Sequence, residues 1–222
     1  MTSTISRYDD HADWYVDYTR EWGSAATDFL PEPLVGQRIL DLGCGWGQLS
    51  RVLADRGARV TGVDLSERLL GRARELEAER PAGIEYRHGD ATRADWWDGV
   101  GFDGAVCNMA LMDMDDLAGA LSSVATVLEP GGWFVFTLFH PCFPGRPGDG
   151  ATLSSWPPEG GYATEGWWST EQTGVRGHVG ANHRMLSTYL NAVLAAGLEF
   201  VRFTELGDDI PQRLVVHTRR PA

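Results

Sequence analysis

Two short stretches carry side chains whose types and spacing could do chemistry. In "TLFHPCFPG", Thr137 to Gly145, His140 and Cys142 stand two residues apart where an apolar run breaks into prolines and glycines. An imidazole titrates near neutrality and can take a proton from an alcohol, while a cysteine beside it offers a nucleophile pair or half a metal site. No metal is expected, because Cys44, Cys107 and Cys142 are widely spaced and no C-x-x-C or H-x-x-x-H accompanies them. His178 and His183 share the candidacy for a base with His140, whose plainer reading is a histidine bonding backbone at a turn. The second stretch is "RILDLGCGWGQLS", in which Asp41 precedes Gly43, Gly45 and Gly47. Glycines there let backbone approach a ligand closely, and a following helix would present free N–H groups. The spacing is G-x-G-x-G. A dinucleotide fingerprint needs its third glycine where Gln48 stands, and Asp41 would sit badly beside a pyrophosphate.

The elements that must position these residues follow from hydrophobic periodicity. "RILDLG", "ARVTGVD", "GIEYRHGD", "FDGAVCN" and "GWFVFTLF" read as five strands, each followed by a helical stretch or turn. Leu49, Val52 and Leu53 stripe one helix, Ser66 can cap a second running to Pro81, and Leu117, Leu121, Val124 and Leu128 line a third that stops at "EPGG". A last helix from about Ser187 precedes two closing strands, "LEFVRFTEL" and "QRLVVHTR". The expectation is an α/β fold, a seven-stranded mostly parallel sheet with helices on both faces.

Two regions fall outside this alternation. In residues 1–30, Tyr8, His11, Tyr15, Tyr18 and Trp22 recur at spacings of three and four, giving a helical cap with an aromatic face that lies over a cleft or simply packs on the domain. Residues 140–182, rich in Trp, Gly and Pro, suit a substrate lid inserted in the domain. There Trp156, Tyr162, Trp167 and Trp168 are interspersed with Glu159, Glu165 and Glu171. These could wall in a sugar, an aromatic or a cationic acceptor, or only pin the segment down. The chain is thus expected to be one domain, 1–222, with a core at 38–139 and a closing helix and strand pair at 183–222.

Composition bounds the partners. The 222 residues carry a net charge of -12, and all 19 basic residues are arginines without a basic tract, which argues against nucleic acid and anionic membranes. Hydrophobic content of 43% and charged content of 23% are ordinary for a globular protein, and the apolar run "WFVFTLF" is far shorter than the ~20 residues of a membrane span. The opening "MTSTISRYDD" has no export pattern, and three unpaired-looking cysteines suit a reducing compartment, so a cytoplasmic location is expected. Monomer and homodimer both stay open.

From about Arg38 to Arg219 the residues resemble the class I S-adenosylmethionine-dependent methyltransferases of small-molecule type, with their Rossmann-like fold. The resemblance implies that Asp41, Gly43, Gly45 and Gly47 hold the methionine end of S-adenosyl-L-methionine, that Asp64 holds the ribose hydroxyls, and that Leu65 follows against adenine. It implies roles for Asp90 and Ala91 of "HGDA" at the adenine amino group and a ring nitrogen, and for Asn108 and Met109 of "CNMALMD" beneath the sulfonium. "LEPGG" resembles the turn before the fifth strand. Asp64 as a helix cap, Asp90 in an ordinary turn and Asn108 bonding backbone are the plain alternatives. No N/D-P-P-Y signature of base or glutamine methylation follows the fourth strand. The implied activity is methyl transfer to a small-molecule acceptor, most readily a hydroxyl oxygen of a sugar or natural product. Tyr15, Trp156, Tyr162, Glu165, Trp167 and Trp168 are the candidate acceptor contacts. N- or S-methylation is the alternative, and a non-catalytic cofactor-binding partner protein a more distant one.

Overall fold

A computed structural model of the chain describes residues 6–23, 26–143, 156–157, 159–169 and 174–222. The strands are β1 (Arg38–Leu42), β2 (Arg59–Asp64), β3 (Glu85–His88), β4 (Phe102–Asn108), β5 (Leu128–Phe139), β6 (Gly166–Trp168), β7 (Ala181–His183), β8 (Glu199–Leu206) and β9 (Arg213–Arg219). The helices are α1 (Ala12–Thr19), α2 (Gln48–Asp55), α3 (Glu67–Glu79), α4 (Leu117–Val127), α5 (Val175–Val179) and α6 (Leu186–Ala195). Seven strands form one Rossmann-like sheet in the order β3-β2-β1-β4-β5-β9-β8. Its first five strands pair in parallel, and β9 runs antiparallel to both β5 and β8. The chain order reverses between β1 and β4, so the carboxyl ends of these two strands open a crevice between helices on opposite faces.

Strand parity decides which side chain serves which face. On β1, Leu40 and Leu42 join the core that contains Leu117, Leu121 and Val124 of α4, while Ile39 joins the opposite core with Leu49 and Leu53 of α2. β4 and β5 alternate in the same way: Ala105, Cys107, Phe134 and Phe136 on one side, Val106 and Val135 on the other. The helices start where the sequence supplies caps, with Ser66 Oγ accepting from Leu69 N–H at 3.1 Å and Asp116 Oδ1 accepting from Gly119 N–H at 2.8 Å.

Three sequence expectations are adjusted. "LEPGG" is not a turn ahead of β5 but its first part. Leu128 already pairs with Phe102, and a bulge then resets the register to Trp133 opposite Gly104, with Gly131 at φ +81° and its N–H bonded to Arg220 O at 3.0 Å. The N-terminal cap is a 3-10 turn (Asp9–His11) followed by the short α1, and its rings divide rather than share a face. Tyr8 and Tyr15 meet edge to face, Tyr18 stacks on Trp14, and Trp22 is half exposed beyond the helix end. Within 140–182, β6 and β7 form a small antiparallel pair with α5 between them, so the described part of this segment is more regular than its composition implies. Residues 1–5, 24 and 25 of the expected cap, and Pro144 and Glu171 of the expected lid, lie outside the described residues.

Candidate functional site

The crevice at the carboxyl ends of β1, β2 and β4 holds a cavity of about 340 Å³, within the usual range for small-molecule sites. Gly43, Gly45, Asp64, Leu65, Asp90, Ala91, Asn108, Met109 and Tyr15 all line it. Gly43 and Gly45 adopt φ of +71° and +55°, a region that favours glycine, and a Cβ on Gly43 would lie 2.6 Å from Ala110 Cβ. The loop is braced on β2: Gly43 and Cys44 N–H donate to Val63 O at 2.8 and 3.1 Å, and Gly45 N–H donates to Asp64 Oδ2 at 2.7 Å. Asp64 Oδ1 accepts from Ser66 N–H at 2.8 Å. Each carboxylate oxygen can accept twice, so the side chain keeps two acceptor positions beyond these bonds. Burial raises the Asp64 pKa above its ordinary value, and the backbone donors pull against that rise.

Asp90 makes a local turn, Oδ1 accepting from Thr92 N–H and Oγ1 at 2.9 and 2.7 Å. At the end of β4 the fully buried Thr137 donates its hydroxyl to Asn108 Oδ1 at 2.8 Å, and Met109 N–H donates to Thr137 O at 3.0 Å. This holds Met109 at φ +58°, an uncommon conformation for a residue with a side chain. The strand therefore breaks off sharply at the cavity floor.

Asp41 and Gly47 do not line this cavity. By parity Asp41 faces α2, where Ser50 Oγ donates to it at 2.6 Å, and burial pushes its carboxyl up to about 7. Gly47 makes room for the Tyr86 ring, whose Cζ would lie 2.9 Å from an added Cβ. A carboxyl whose pKa is raised on folding stabilises the fold most below its unfolded value of about 4, and that contribution is lost as pH rises through the folded value. Asp41→Asn, which still accepts from Ser50, is thus expected to remove part of the drop in melting temperature between about pH 4 and pH 7, checked by thermal melts.

Among the described residues, none of the three candidate histidines lines the cavity. His140 is 2% exposed, its Nε2 2.8 Å from Glu205 Oε1, and its Nδ1 accepts from Cys142 N–H at 3.2 Å. It sits at the carboxyl end of β5, on the β9 and β8 side of the sheet. His183 Nε2 lies 2.8 Å from Tyr162 O, and His178 stacks on Trp14 with ring centroids 3.7 Å apart. The candidate acceptor residues of 140–182 also stand back from the cavity. Tyr162 Oη accepts from Leu186 N–H at 2.8 Å and meets Trp156 edge to face; Glu165 Oε1 accepts from Met185 N–H at 2.6 Å at the start of α6. Trp168 lies under the Arg176 guanidinium, 4.5 Å away, while Trp167 packs its ring behind Gly180. Val179 and Gly180 line the cavity in their place. Among the described residues no group of three or more His, Cys, Asp or Glu is arranged to hold a metal ion, and no helix is long and apolar enough to cross a membrane.

The structure adds residues that spacing did not reveal. Ser6 and Arg7 join Tyr8 of the aromatic cap in closing one wall, and Asp113, Asp115 and Asp116 close another. The two walls are joined. Tyr8 Oη donates to Asp113 Oδ2 at 2.9 Å, Arg7 Nη2 makes a two-pronged bond to Asp115 at 2.8 and 3.0 Å, and Ser66 Oγ donates to Asp9 Oδ1 at 2.6 Å. Burial pushes the Asp113 carboxyl up to about 7 against the lowering effects of Tyr8, Arg176 and Arg7. The sequence signal was the acidic run after "CNMAL", which reads as a turn and a helix cap; only Asp116 serves as the cap.

The family described as "Methyltransferase domain" matches residues 40–136. Over 94% of its length the chain is similar to an S-adenosylmethionine dependent methyltransferase from Mesorhizobium loti, with 32% identity, 98% of that chain covered and a TM-score of 0.71. A ubiquinone biosynthesis O-methyltransferase of Aromatoleum aromaticum is 37% identical over 107 residues, 48% of this chain and 46% of that protein. The chain thus spans about half the length of the curated relatives it matches. A 1,6-didemethyltoxoflavin-N1-methyltransferase of Burkholderia thailandensis shares the fold at 19% identity and a TM-score of 0.68, covering 97% of this chain and 87% of that one.

Proposed function

The chain belongs to the S-adenosylmethionine-dependent methyltransferases, and we propose that it methylates a hydroxyl oxygen of an uncharged small molecule. The observation that carries this reading is the charge of the cavity wall. Asp64, Asp90, Asp113, Asp115 and Asp116 line it, and Arg7, whose charge is matched by Asp115, is its one cation among the described residues. Such a wall favours a cationic sulfonium and repels an anionic acceptor. The choice of oxygen is supported by the O-methyltransferases to which the chain is similar.

The residues fit the cofactor. Gly43 and Gly45 leave backbone exposed to it, Asp64 keeps two acceptor positions for a vicinal diol, and Asp90, Ala91, Leu65, Asn108 and Met109 complete the wall. When bound, S-adenosylmethionine supplies a methyl group on a positively charged sulfur that leaves as a neutral thioether. The chain's tasks are then alignment, exclusion of water and disposal of one proton. Cap residues Tyr8 and Tyr15 and lid residues Val179 and Gly180 close over the crevice and exclude water.

A cation placed beside carboxyls with raised pKa values lowers them, so binding releases protons. Affinity for S-adenosylmethionine is therefore expected to rise between about pH 6 and pH 8, with proton release read by calorimetry in buffers of different ionisation heat. A pH-independent affinity would contradict the placement of Asp64 and Asp113 against the cofactor. The acceptor class is tested with radiolabelled cofactor on a panel of sugars, phenols, amines and thiols. Label on alcohol or phenol oxygen is expected, with carboxylated analogues slower than neutral ones. Label confined to nitrogen or sulfur would overturn the oxygen assignment, and tight cofactor binding without turnover would point to a non-catalytic role.

A further inference from the structure

We propose that Asp113 is the proton acceptor for the substrate hydroxyl and that Tyr8 positions it, an inference that rests on the oxygen-methylation reading. Asp113 ends the 3-10 turn Leu111–Asp113 that follows β4, and it lines the cavity together with Asn108 and Met109. The other carboxylates of the wall have other tasks: Asp64 and Asp90 serve the cofactor in the reading above, Asp115 is paired with Arg7, and Asp116 caps α4. Asp64 accepts from Gly45 and Ser66 N–H, Asp90 from Thr92, Asp115 from Arg7 and Asn182, and Asp116 from Gly119 N–H. The Asp113 side chain has one hydrogen bond among the described residues, from the neutral hydroxyl of Tyr8 at 2.9 Å to Oδ2, and its Oδ1 is left open. The three histidines that could compete for the role lie off the cavity.

The charged and titratable surroundings of Asp113 explain how it stays poised. Tyr8, Arg7 and Tyr15 reach it from the cap, Arg176 from α5, and Asp64 from β2. Cys107 of β4 and Tyr189 of α6 lie near enough to feel its charge. Burial raises its carboxyl to about 7, which leaves a substantial basic fraction at neutral pH and the proton affinity a general base needs. In the step itself, the acceptor O–H proton passes to Oδ1 of Asp113 and an oxygen lone pair forms the new O–C bond to the methyl carbon. The C–S bond breaks with its electron pair going to sulfur, so the positive sulfur becomes neutral and the carboxylate becomes a carboxylic acid.

The test uses the full chain with catechol and a neutral sugar as acceptors, and the variants Asp113→Asn, Asp113→Glu and Tyr8→Phe. For Asp113→Asn, kcat for oxygen methylation is expected to fall by roughly 10²- to 10⁴-fold, while calorimetric affinity for S-adenosylmethionine stays within about tenfold. Asp113→Glu should restore part of the rate. In the wild type kcat/KM for S-adenosylmethionine, which reports the free enzyme, should rise with pH through about 7, with the kcat limb lower because the bound cation favours the carboxylate. Tyr8→Phe removes a donor that favours the carboxylate, so its acid limb should move up by roughly half to one pH unit; a merely structural Tyr8 would lower the rate at every pH without moving the limb. Independently of any acceptor, the carboxyl ¹³C resonance that Asp113→Asn removes should titrate near neutrality. Full oxygen methylation by Asp113→Asn, or an Asp113 resonance titrating in the ordinary carboxylate range, would overturn the proposal and leave the methyltransferase reading standing. Wild-type product carrying methyl only on nitrogen or sulfur would instead overturn that reading, and the need for Asp113 as a base with it.

Discussion

Calorimetry on an Asp64→Ala variant is expected to show affinity for S-adenosylmethionine reduced by roughly 100- to 1,000-fold, the loss of two charge-assisted hydrogen bonds at about 1.5–2 kcal/mol each. The side chain has three tasks at once. It fixes Gly45 through a 2.7 Å bond, it orders Ser66 at the head of α3 through a 2.8 Å bond, and it lines the cavity. Alanine removes all three, whereas Asp64→Asn can still accept through one oxygen and should lose clearly less. If Asp64→Ala bound the cofactor as tightly as the parent chain, the placement of the ribose against β2 would be wrong.

A chain beginning at Gly23 is expected to keep its fold but to lose methyl transfer by more than about 100-fold, with cofactor affinity down by about tenfold or more. The sheet and its two main cores are built without the cap, whose own cluster is small: Ala12 and Val16 against Leu69, with Tyr8, Tyr15 and Trp46 around them. Circular dichroism should therefore show native secondary structure. What disappears is one wall of the cavity, since Ser6, Arg7, Tyr8 and Tyr15 all go, and with them the partners of Asp113 and Asp115. Wild-type turnover by the shortened chain would show that the cap is not part of the working site.

Much of the core could be read from the sequence because it follows local rules. Apolar runs bounded by glycines become the inner strands, Ser66 caps its helix as its position before "ERLL" suggests, and the ends of β1, β2 and β4 bring Gly43, Gly45, Asp64, Asn108 and Met109 to one crevice. Asp41 shows what a motif conceals: it sits beside the loop in sequence, yet parity turns it to the opposite face. The pairing of Tyr8 with Asp113 spans 105 residues and has no local signature. Nor do Trp167 and Trp168 reveal from composition that one backs Gly180 and the other lies under Arg176, because both contacts depend on how β6 and β7 fold together. Aromatic and acidic composition singled out both regions, but the side chains it offered as acceptor contacts from 140–182 bond within that region or at the start of α6 rather than line the cavity.

The short peptide from Asp113 to Asp115 has a further consequence. From the cap, Tyr8 and Arg7 hold its side chains; from the segment after α5, Asn182 donates to Asp115 Oδ1 at 3.0 Å and Arg184 donates to the carbonyls of Met114 and Asp115 at 2.6 and 2.9 Å. Two covers that are distant in sequence thus share one anchorage. Neither can lift without releasing bonds to this three-residue stretch, so movement of the cap and movement of the segment after α5 are tied to a single post.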